Sequence, residues 1–233
     1  MHKILILEDD IEFAEIMSIY LKSKGYKSVH AKSIAEAVEA FNLEHFDLII
    51  SDIMLPDGFG TNFCKHIRTI SKLPIIVISC LGDDTTIVEA FSNGADDYIT
   101  KPLNPVQFLA RVEANIRRDK EYGNYNSSSA LNGENYVMFC GMKLDDIRRS
   151  ITYADGTSVD LSPIEYTVLK VFLKNPGVLL LYDKLYKEVW DRDSLGDYRS
   201  IMVHVSNLKK KIDPFNSGII TNTRGAGYIY TPK

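Results

Sequence analysis

Residues 46–52 read FDLIISD, a short apolar run that ends in an acid, and this pattern decides the fold of the first half of the chain. Three similar runs occur: Lys3–Leu7 before Glu8 and Asp9, Ile75–Ile78 before Ser79, and Tyr98–Ile99 shortly before Lys101. Amphipathic stretches separate the runs, and this alternation predicts βαβ units of a parallel sheet. Such sheets bind ligands at the carboxyl ends of their strands. We therefore expect the polar residues to meet at one edge.

The whole first half fits one α/β class. Strands are predicted near residues 3–7, 27–30, 46–51, 74–78 and 97–100, with helical spacing of apolar residues between them. Five alternating strands and helices indicate a flavodoxin-like, doubly wound sheet of five parallel strands in the order 2-1-3-4-5. The first and third strands are neighbours in that order, so the acids that follow them should converge at the switch point.

These acids form a candidate metal site. Three carboxylates in one place repel each other unless a hard cation neutralises them, and oxygen ligands with open water positions suit Mg²⁺. We predict an inner shell of Asp9, Asp52 and the backbone carbonyl of Met54, with Glu8 acting through water. A carboxylate at such a site can attack phosphorus, because the cation offsets charge on the transferring group.

Two further side chains suit phosphoryl transfer onto Asp52. Lys101 supplies a fixed positive charge for the phosphoryl oxygens, and Ser79 supplies a hydroxyl donor. Taken singly, a loop acid is more often a solvated turn former, and a lysine more often covers a surface. Their joint placement at four strand ends favours a phosphoacceptor site.

Length and composition bound the remaining possibilities. A chain of 233 residues, 45% hydrophobic and 25% charged, predicts two globular domains of ordinary size. No apolar run is long enough to span a bilayer, and the start MHKILILEDD does not resemble a signal peptide, so we expect a cytoplasmic protein without a membrane partner. The three cysteines lack the spacing of metal ligands and are predicted to be reduced thiols.

A change in composition marks the domain boundary. Residues 121–135 are rich in Asn, Ser and Gly, which predicts a flexible linker between a domain at 1–120 and a second at 136–233. The second half alters the order of elements: short strands near 137–153, helices near 162–174, 182–190 and 197–212, and a hairpin at 218–231. This order predicts a small α+β domain.

The third of these helices carries a basic face. Its apolar residues follow helical spacing, and the rest of its circumference mixes cations with amide and hydroxyl donors, as a helix in the major groove of DNA requires. The candidate DNA contacts are Arg199, Ser200, His204, Asn207, Lys210 and Lys211, with Arg224 at the tip of the hairpin. A solvated basic face is an equally good interpretation, because lysines favour helix C-termini through the dipole.

The motifs of the first half resemble a known family. EDD at 8–10, SDIMLPDGFG at 51–60, IVIS at 76–79 and DDYITKPL at 96–103 are similar to the receiver domain of two-component response regulators. The resemblance implies that Asp52 is the phosphoacceptor, Ser79 the switch hydroxyl and Tyr98 the switch aromatic. It also implies a cis bond between Lys101 and Pro102.

The second half resembles the winged-helix effector domain of the OmpR/PhoB family of transcription factors. That resemblance implies a recognition helix at about 198–212, a wing that carries Arg224, and a loop at 191–197 that contacts RNA polymerase. The family's recognition helix commonly has an acid where Met202 stands and arginines at Ser206 and Asn207, so we expect a base preference of its own.

The resemblance also bears on assembly. The family's receiver dimer commonly uses three cross-subunit ion pairs, and only the pair of Asp97 with Arg111 is present here. The other four positions hold Ile87, Gln107, Ser92 and Glu113. We expect a homodimer through this face, of reduced strength, since exposed ion pairs contribute only about 0–1 kcal/mol each.

Together these features predict a bacterial transcriptional regulator and not an enzyme. On this interpretation we expect a sensor histidine kinase to phosphorylate Asp52 with Mg²⁺, and paired chains to bind tandem DNA half-sites. One alternative is an aspartyl-phosphate phosphatase, which would need a second acid where Met54 stands. The other is a regulator that binds DNA without phosphorylation, and equal DNA affinity of both forms would support it.

Overall fold

The computed structural model describes residues 1–124, 136–191, 193–194, 198–213 and 217–233. The chain divides into two compact units, Met1–Asp119 and Lys120–Lys233. Among the described residues, no helix combines the length and the apolar character that a membrane span requires.

The N-terminal unit is a parallel five-stranded sheet with helices between its strands. In chain order its elements are β1 (Lys3–Leu7), α1 (Ile11–Ser23), β2 (Lys27–Ala31), α2 (Ile34–Leu43), β3 (Leu48–Asp52), β4 (Met54–Leu55), β5 (Gly58–Phe59), α3 (Gly60–Ile70), β6 (Ile75–Ser79), α4 (Asp84–Ser92), β7 (Asp97–Thr100) and α5 (Pro105–Asn124). The sheet order is β2-β1-β3-β6-β7. The predicted flavodoxin-like order is therefore confirmed.

The centre of this sheet is buried on both faces. Every residue of β3 and β6 is buried, as are the last four residues of β1. On one face, Ile4, Ile50 and Ile78 share a core with Met17 of α1 and Phe108 of α5. Near-continuous apolar runs predict this arrangement, because helices cover both faces of a parallel sheet. The same arrangement leaves the polar residues at the strand ends to form one rim.

A small hairpin follows β3, and the sequence patterns do not predict it, because two-residue strands carry no periodicity. Strands β4 and β5 pair antiparallel, with Met54 opposite Phe59. Helix α3 begins at Gly60, whose amide donates to the carbonyl of Ile53 at 2.8 Å. A Cβ at Gly60 would lie 1.8 Å from the carbonyl oxygen of Asp52, so only glycine fits where the chain turns back beneath the acid.

The end of α5 enters the predicted linker. The helix runs to Asn124, so residues 121–124 are helical, which corrects the predicted start of the linker at 121. The rest of that segment, 125–135, lies outside the described residues.

The described residues of the C-terminal unit form two antiparallel sheets and three helices. In chain order its elements are β8 (Tyr136–Phe139), β9 (Met142–Asp145), β10 (Ser150–Thr152), β11 (Ser158–Asp160), α6 (Pro163–Lys174), β12 (Leu179–Leu181), α7 (Tyr182–Trp190), α8 (Arg199–Ile212), β13 (Ile220–Thr223) and β14 (Gly227–Tyr230). The sheets have the orders β11-β10-β9-β8 and β12-β14-β13. The predicted helices and terminal hairpin are confirmed, whereas the sequence did not predict β11 or β12.

Helix α6 begins at a complete capping box. The Ser162 hydroxyl accepts from the Glu165 amide at 3.2 Å, and the Glu165 carboxylate accepts from the Ser162 amide at 2.8 Å, with Pro163 in the first turn. The buried face of α6 packs into one core with α7 and α8, which contains Phe172, Trp190 and Leu208. This core fixes the orientation of α8 within the unit.

Candidate functional site

The acids that follow β1 and β3 converge as predicted. One ligand atom from each of Glu8, Asp9 and Asp52 lies within 4.8 Å of the other two. Glu8 is 1% exposed and Asp52 7%, whereas Asp9 is exposed. Strands β1 and β3 are direct neighbours, so their ends place these carboxylates side by side. The backbone of Glu8 is tied to β2, since its carbonyl lies 2.7 Å from Nε2 of His30.

Lys101 reaches into this cluster from the end of β7. Its Nζ lies 2.6 Å from Oδ2 of Asp52 and 3.0 and 3.1 Å from the two carboxylate oxygens of Glu8. The ammonium also lies 4.3 Å from the centre of the Phe13 ring, a cation–π distance. The Lys101–Pro102 bond is cis, as the family resemblance implies. One cation is thus shared by two buried carboxylates.

This arrangement shifts the proton affinities of two groups. Burial raises the pKa of Glu8 to about 7, and the nearby charge of Asp52 acts in the same direction, while Lys101 opposes both. For Lys101, burial by itself would lower the pKa, but the hydrogen bonds and charges of Asp52 and Glu8 outweigh it and raise the pKa. Lys101 therefore stays charged at neutral pH.

The two oxygens of Asp52 have different surroundings. Oδ2 faces Lys101, while Oδ1 accepts from the backbone amides of Ile53 at 2.5 Å and Met54 at 3.2 Å. These amides fix the rotation of the carboxylate. Because three carboxylates share the pocket and two of them are buried, the donor set fits a hard divalent cation such as Mg²⁺. Met54, whose carbonyl we predict as a ligand, lies in β4 beside this cluster.

The two predicted switch residues lie on neighbouring strands. Ser79 ends β6, is buried, and accepts from the amide of Leu81 at 3.1 Å. Tyr98 lies on β7, is 7% exposed, and donates its hydroxyl to the carbonyl of Leu81. Its ring packs against Phe91 of α4. Both residues therefore contact the loop that joins β6 to α4.

The predicted dimer pair is formed within one chain. Arg111 of α5 donates to Asp97 of β7, which is buried and which also accepts from the amide of Tyr98 at 2.9 Å. The Asn115 side chain lies 3.5 Å from the other Asp97 oxygen. An ion pair across two chains at these positions would have to replace this internal one.

In the C-terminal unit, one predicted DNA contact, His204, is wrong, and a second, Lys211, is paired within the unit. His204 is only 2% exposed and packs against Trp190 with ring centres 5.8 Å apart, so it belongs to the core. Lys211 donates to Oε2 of Glu165 at 2.7 Å and to the carbonyl of Asp160 at 2.8 Å, which secures α8 to the start of α6. Helical spacing assigned His204 to the outer face because it does not show how far the core extends around the helix.

The outer face of α8 holds the remaining candidates. Lys210 is exposed, and Arg199, Ser200 and Asn207 are partly exposed. The exposed set also includes Met202 and Ser206, which the sequence marks only as departures from the family pattern. Their spacing in the sequence could have identified them, because Met202 lies two helical turns and Ser206 one turn before the exposed Lys210. Arg224 is exposed in the turn between β13 and β14. In the loop predicted to contact RNA polymerase, residues 192 and 195–197 lie outside the described residues.

Both halves of the chain match models of known families. Residues 4–113 match the response regulator receiver domain, and residues 156–230 match the C-terminal domain of transcriptional regulatory proteins. The chain is 32% identical over 231 residues to the transcriptional regulatory protein ResD of Bacillus subtilis, covering 98% of this chain and 95% of that protein. The chain belongs to the OmpR/PhoB family of response regulators.

Solved structures agree with this assignment. The response regulator DrrB, an OmpR/PhoB homologue of Thermotoga maritima, is 26% identical, with a TM-score of 0.50 over 99% of both chains. A mutant of RitR has a TM-score of 0.77 over 100% of both chains at 20% identity, which supports the fold alone. The N-terminal unit is therefore the receiver domain of this response regulator, and the C-terminal unit is its winged-helix effector domain.

Proposed function

We propose that this response regulator is phosphorylated on Asp52 by a sensor histidine kinase in the presence of Mg²⁺, and that phosphorylation promotes dimerisation and promoter binding. The observation that carries the proposal is the convergence of three carboxylates with Lys101 at one rim of the receiver sheet. The proposed domains are the receiver at 1–120, a linker at 121–135 and the effector at 136–233. The first four residues of this linker, 121–124, belong to helix α5. A regulator of bacterial promoters acts in the cytoplasm, where the DNA is.

We propose a role for each pocket residue. Oδ1 of Asp52 is held by two amides, so Oδ2 is the oxygen that attacks the phosphorus of the donor. A P–O bond forms as the P–N bond of a phosphohistidine breaks, and the departing imidazole keeps the electron pair. Asp9, Asp52 and the Met54 carbonyl would hold Mg²⁺, with Glu8 acting through water, and the ion would offset charge on the phosphoryl oxygens. Lys101 and Ser79 would donate to those oxygens.

The proposed switch connects this pocket to the α4–β7–α5 surface. A phosphoryl group adds charge and acceptor oxygens that attract the Ser79 hydroxyl. Ser79 and Tyr98 already contact the same residue, Leu81, so a shift of Ser79 would change the loop against which Tyr98 packs. Arg111 lies on this surface, paired with the buried Asp97, and we propose the two residues as part of the dimer interface.

Paired chains would bind tandem DNA half-sites. A second effector domain tethered to the first gains effective concentration without any new contact, so pairing strengthens binding. The proposed contacts are Arg199, Ser200, Asn207, Lys210 and the wing residue Arg224. RNA polymerase is the proposed partner of the loop at 191–197.

The alternative enzyme would require a residue that this chain does not have at the corresponding position. A phosphatase that acts through an aspartyl phosphate would need a general acid where Met54 stands, and turnover of any small phosphomonoester would support it. ResD is named as a transcriptional regulatory protein and DrrB as a response regulator, which disfavours the phosphatase.

The proposal predicts that phosphorylation increases DNA affinity. Full-length protein is treated with a small phosphodonor and Mg²⁺, and its binding to DNA from its own upstream region is compared with that of untreated protein at fixed salt. We expect an affinity gain of about 10²-fold or more from avidity. Equal affinity of the two forms would support the regulator that works without phosphorylation.

A second prediction concerns the recognition helix. Replacing Lys210 by alanine should weaken binding to all sequences alike and reduce the slope of log affinity against log salt by about 1, because one phosphate contact is lost. The measurement is a salt titration of DNA binding, with Lys174→Ala as a control that removes an exposed lysine from α6. An unchanged slope in Lys210→Ala would exclude this lysine as a phosphate contact.

A further inference from the structure

Helix α2 of the receiver is capped from two places. The hydroxyl of Ser33, its N-cap residue, accepts from the amide of Glu36 at 3.2 Å. The first two amides of the helix are bound by Asp57, which lies 23 residues beyond Ile34: Oδ1 accepts from Ile34 at 2.9 Å and Oδ2 from Ala35 at 3.0 Å. A remote carboxylate thus binds two of the four amides that a helix leaves without an internal partner.

Asp57 lies in the turn of the hairpin that joins β4 to β5. The next residue, Gly58, has a φ of +151°, and a Cβ there would lie 3.2 Å from Cδ1 of Ile34. The tip of the hairpin is therefore pressed directly against the first residue of α2. Hydrogen bonds and close packing both join these two segments.

The other end of the hairpin reaches the phosphoacceptor. The amides of Ile53 and Met54 both donate to Oδ1 of Asp52, and the Met54 carbonyl is a proposed metal ligand. At its base the hairpin is closed by the bond from Gly60 to Ile53. One short segment thus carries the groups that orient Asp52 at one end and Asp57 at the other.

We propose that Asp57 is a positioning residue for the phosphoacceptor site, holding the hairpin against α2 so that the groups at Ile53 and Met54 stay aligned on Asp52. The inference rests on the function proposed above. An isolated two-stranded hairpin is marginally stable in water, and strands of two residues supply little pairing of their own. The hydrogen bonds of Asp57 at the tip of the hairpin therefore limit how far Ile53 and Met54, at its base, can move.

The expected effect follows from how outer groups act on metal sites. Loss of a group that orients a metal ligand typically costs about 10- to 100-fold in metal affinity. Asp57 is exposed and acts through the hairpin backbone, so we expect the lower end of that range, about tenfold, for Asp57→Ala. Asp57→Asn keeps one carbonyl oxygen and should fall between this variant and the wild type.

The test uses full-length protein and Mg²⁺ alone as the ligand. Mg²⁺ affinity is measured by calorimetry or from shifts of amide resonances, and hydrogen exchange of the Ile53 and Met54 amides reports on hairpin motion. Ser33→Ala is the matched control, because it removes a cap from the same helix end and leaves both Asp57 bonds. We expect faster exchange at the two amides and weaker Mg²⁺ binding in Asp57→Ala, with neither change in Ser33→Ala.

Two results would overturn the proposed role of Asp57. If Ser33→Ala and Asp57→Ala weaken Mg²⁺ binding equally, loss of helix stability is the cause and Asp57 has no special role. If Asp57→Ala matches the wild type in both measurements, the hairpin holds itself in place. Failure of the proposed function is a separate result, because the wild type itself would then neither bind Mg²⁺ nor become phosphorylated.

Discussion

Replacing Asp52 by alanine should reduce Mg²⁺-dependent labelling by a small phosphodonor to background. The variant lacks the whole carboxylate. In the wild type, Oδ2 of this carboxylate lies 2.6 Å from Nζ of Lys101, and two backbone amides orient it by donating to Oδ1. The neighbouring acids cannot take over, because Glu8 is buried with both of its carboxylate oxygens on Lys101, while Asp9 is exposed at the mouth of the pocket. Withdrawal of Mg²⁺ from the wild type by a chelator should have the same result.

The measurement is incorporation of labelled phosphate, with a thermal melt of each variant to show that it is folded. Glu39→Gln is the matched control, because it removes an exposed carboxylate from α2, outside the pocket. Labelling of Asp52→Ala at the wild-type level would show that another residue is the acceptor. Labelling of the wild type that persists in the chelator would show that the clustered carboxylates do not act with a divalent ion.

The receiver pocket could be predicted from the sequence for a physical reason. In a parallel sheet every strand has the same direction, so residues that follow buried runs must lie on one rim. The strand order then decides which of them meet: Glu8 follows β1, Asp52 ends β3 and Lys101 follows β7. The contact between these three residues could therefore be predicted without knowing the loop conformations or the side-chain packing.

The exposed face of α8 was harder to predict, because no comparable rule says which sides of a helix are buried. Helical spacing separates the most buried residues from the rest, but it does not say where the core ends. His204 lies one turn from the buried Ile201 and Leu208 and is covered by Trp190, which comes from another helix. The bond from Lys211 to Glu165 could not be predicted for a related reason, since the two residues lie 46 positions apart in the sequence.

A further group that the sequence did not reveal is Arg68, on α3. In the sequence it is an ordinary basic residue near a helix C-terminus. In the structure its guanidinium donates to the carbonyls of Gly94, at 2.8 Å, and Leu73, and forms an ion pair with Asp96. Asp96 is fully buried and also accepts from the amide of Ile75 at 2.9 Å, at the start of β6. One side chain thus joins α3 to the starts of two sheet strands.

Replacing Arg68 by methionine should destabilise the receiver domain by about 3–5 kcal/mol, because the charge of Asp96 remains buried without the guanidinium. The measurement is urea unfolding followed by circular dichroism. The chain has a single tryptophan, Trp190, in the effector core, so its fluorescence reports on that domain and should keep its midpoint.

The double variant Arg68→Met with Asp96→Asn distinguishes a buried charge from lost packing. Removing both charges leaves an amide that can still accept from Ile75, so the double variant should be more stable than Arg68→Met alone. If the single and double variants unfold at the same urea concentration, the cost comes from the two lost carbonyl contacts instead. In that case the ion pair contributes little, and Arg68 acts mainly as a hydrogen-bond donor that closes the loops before β6 and β7.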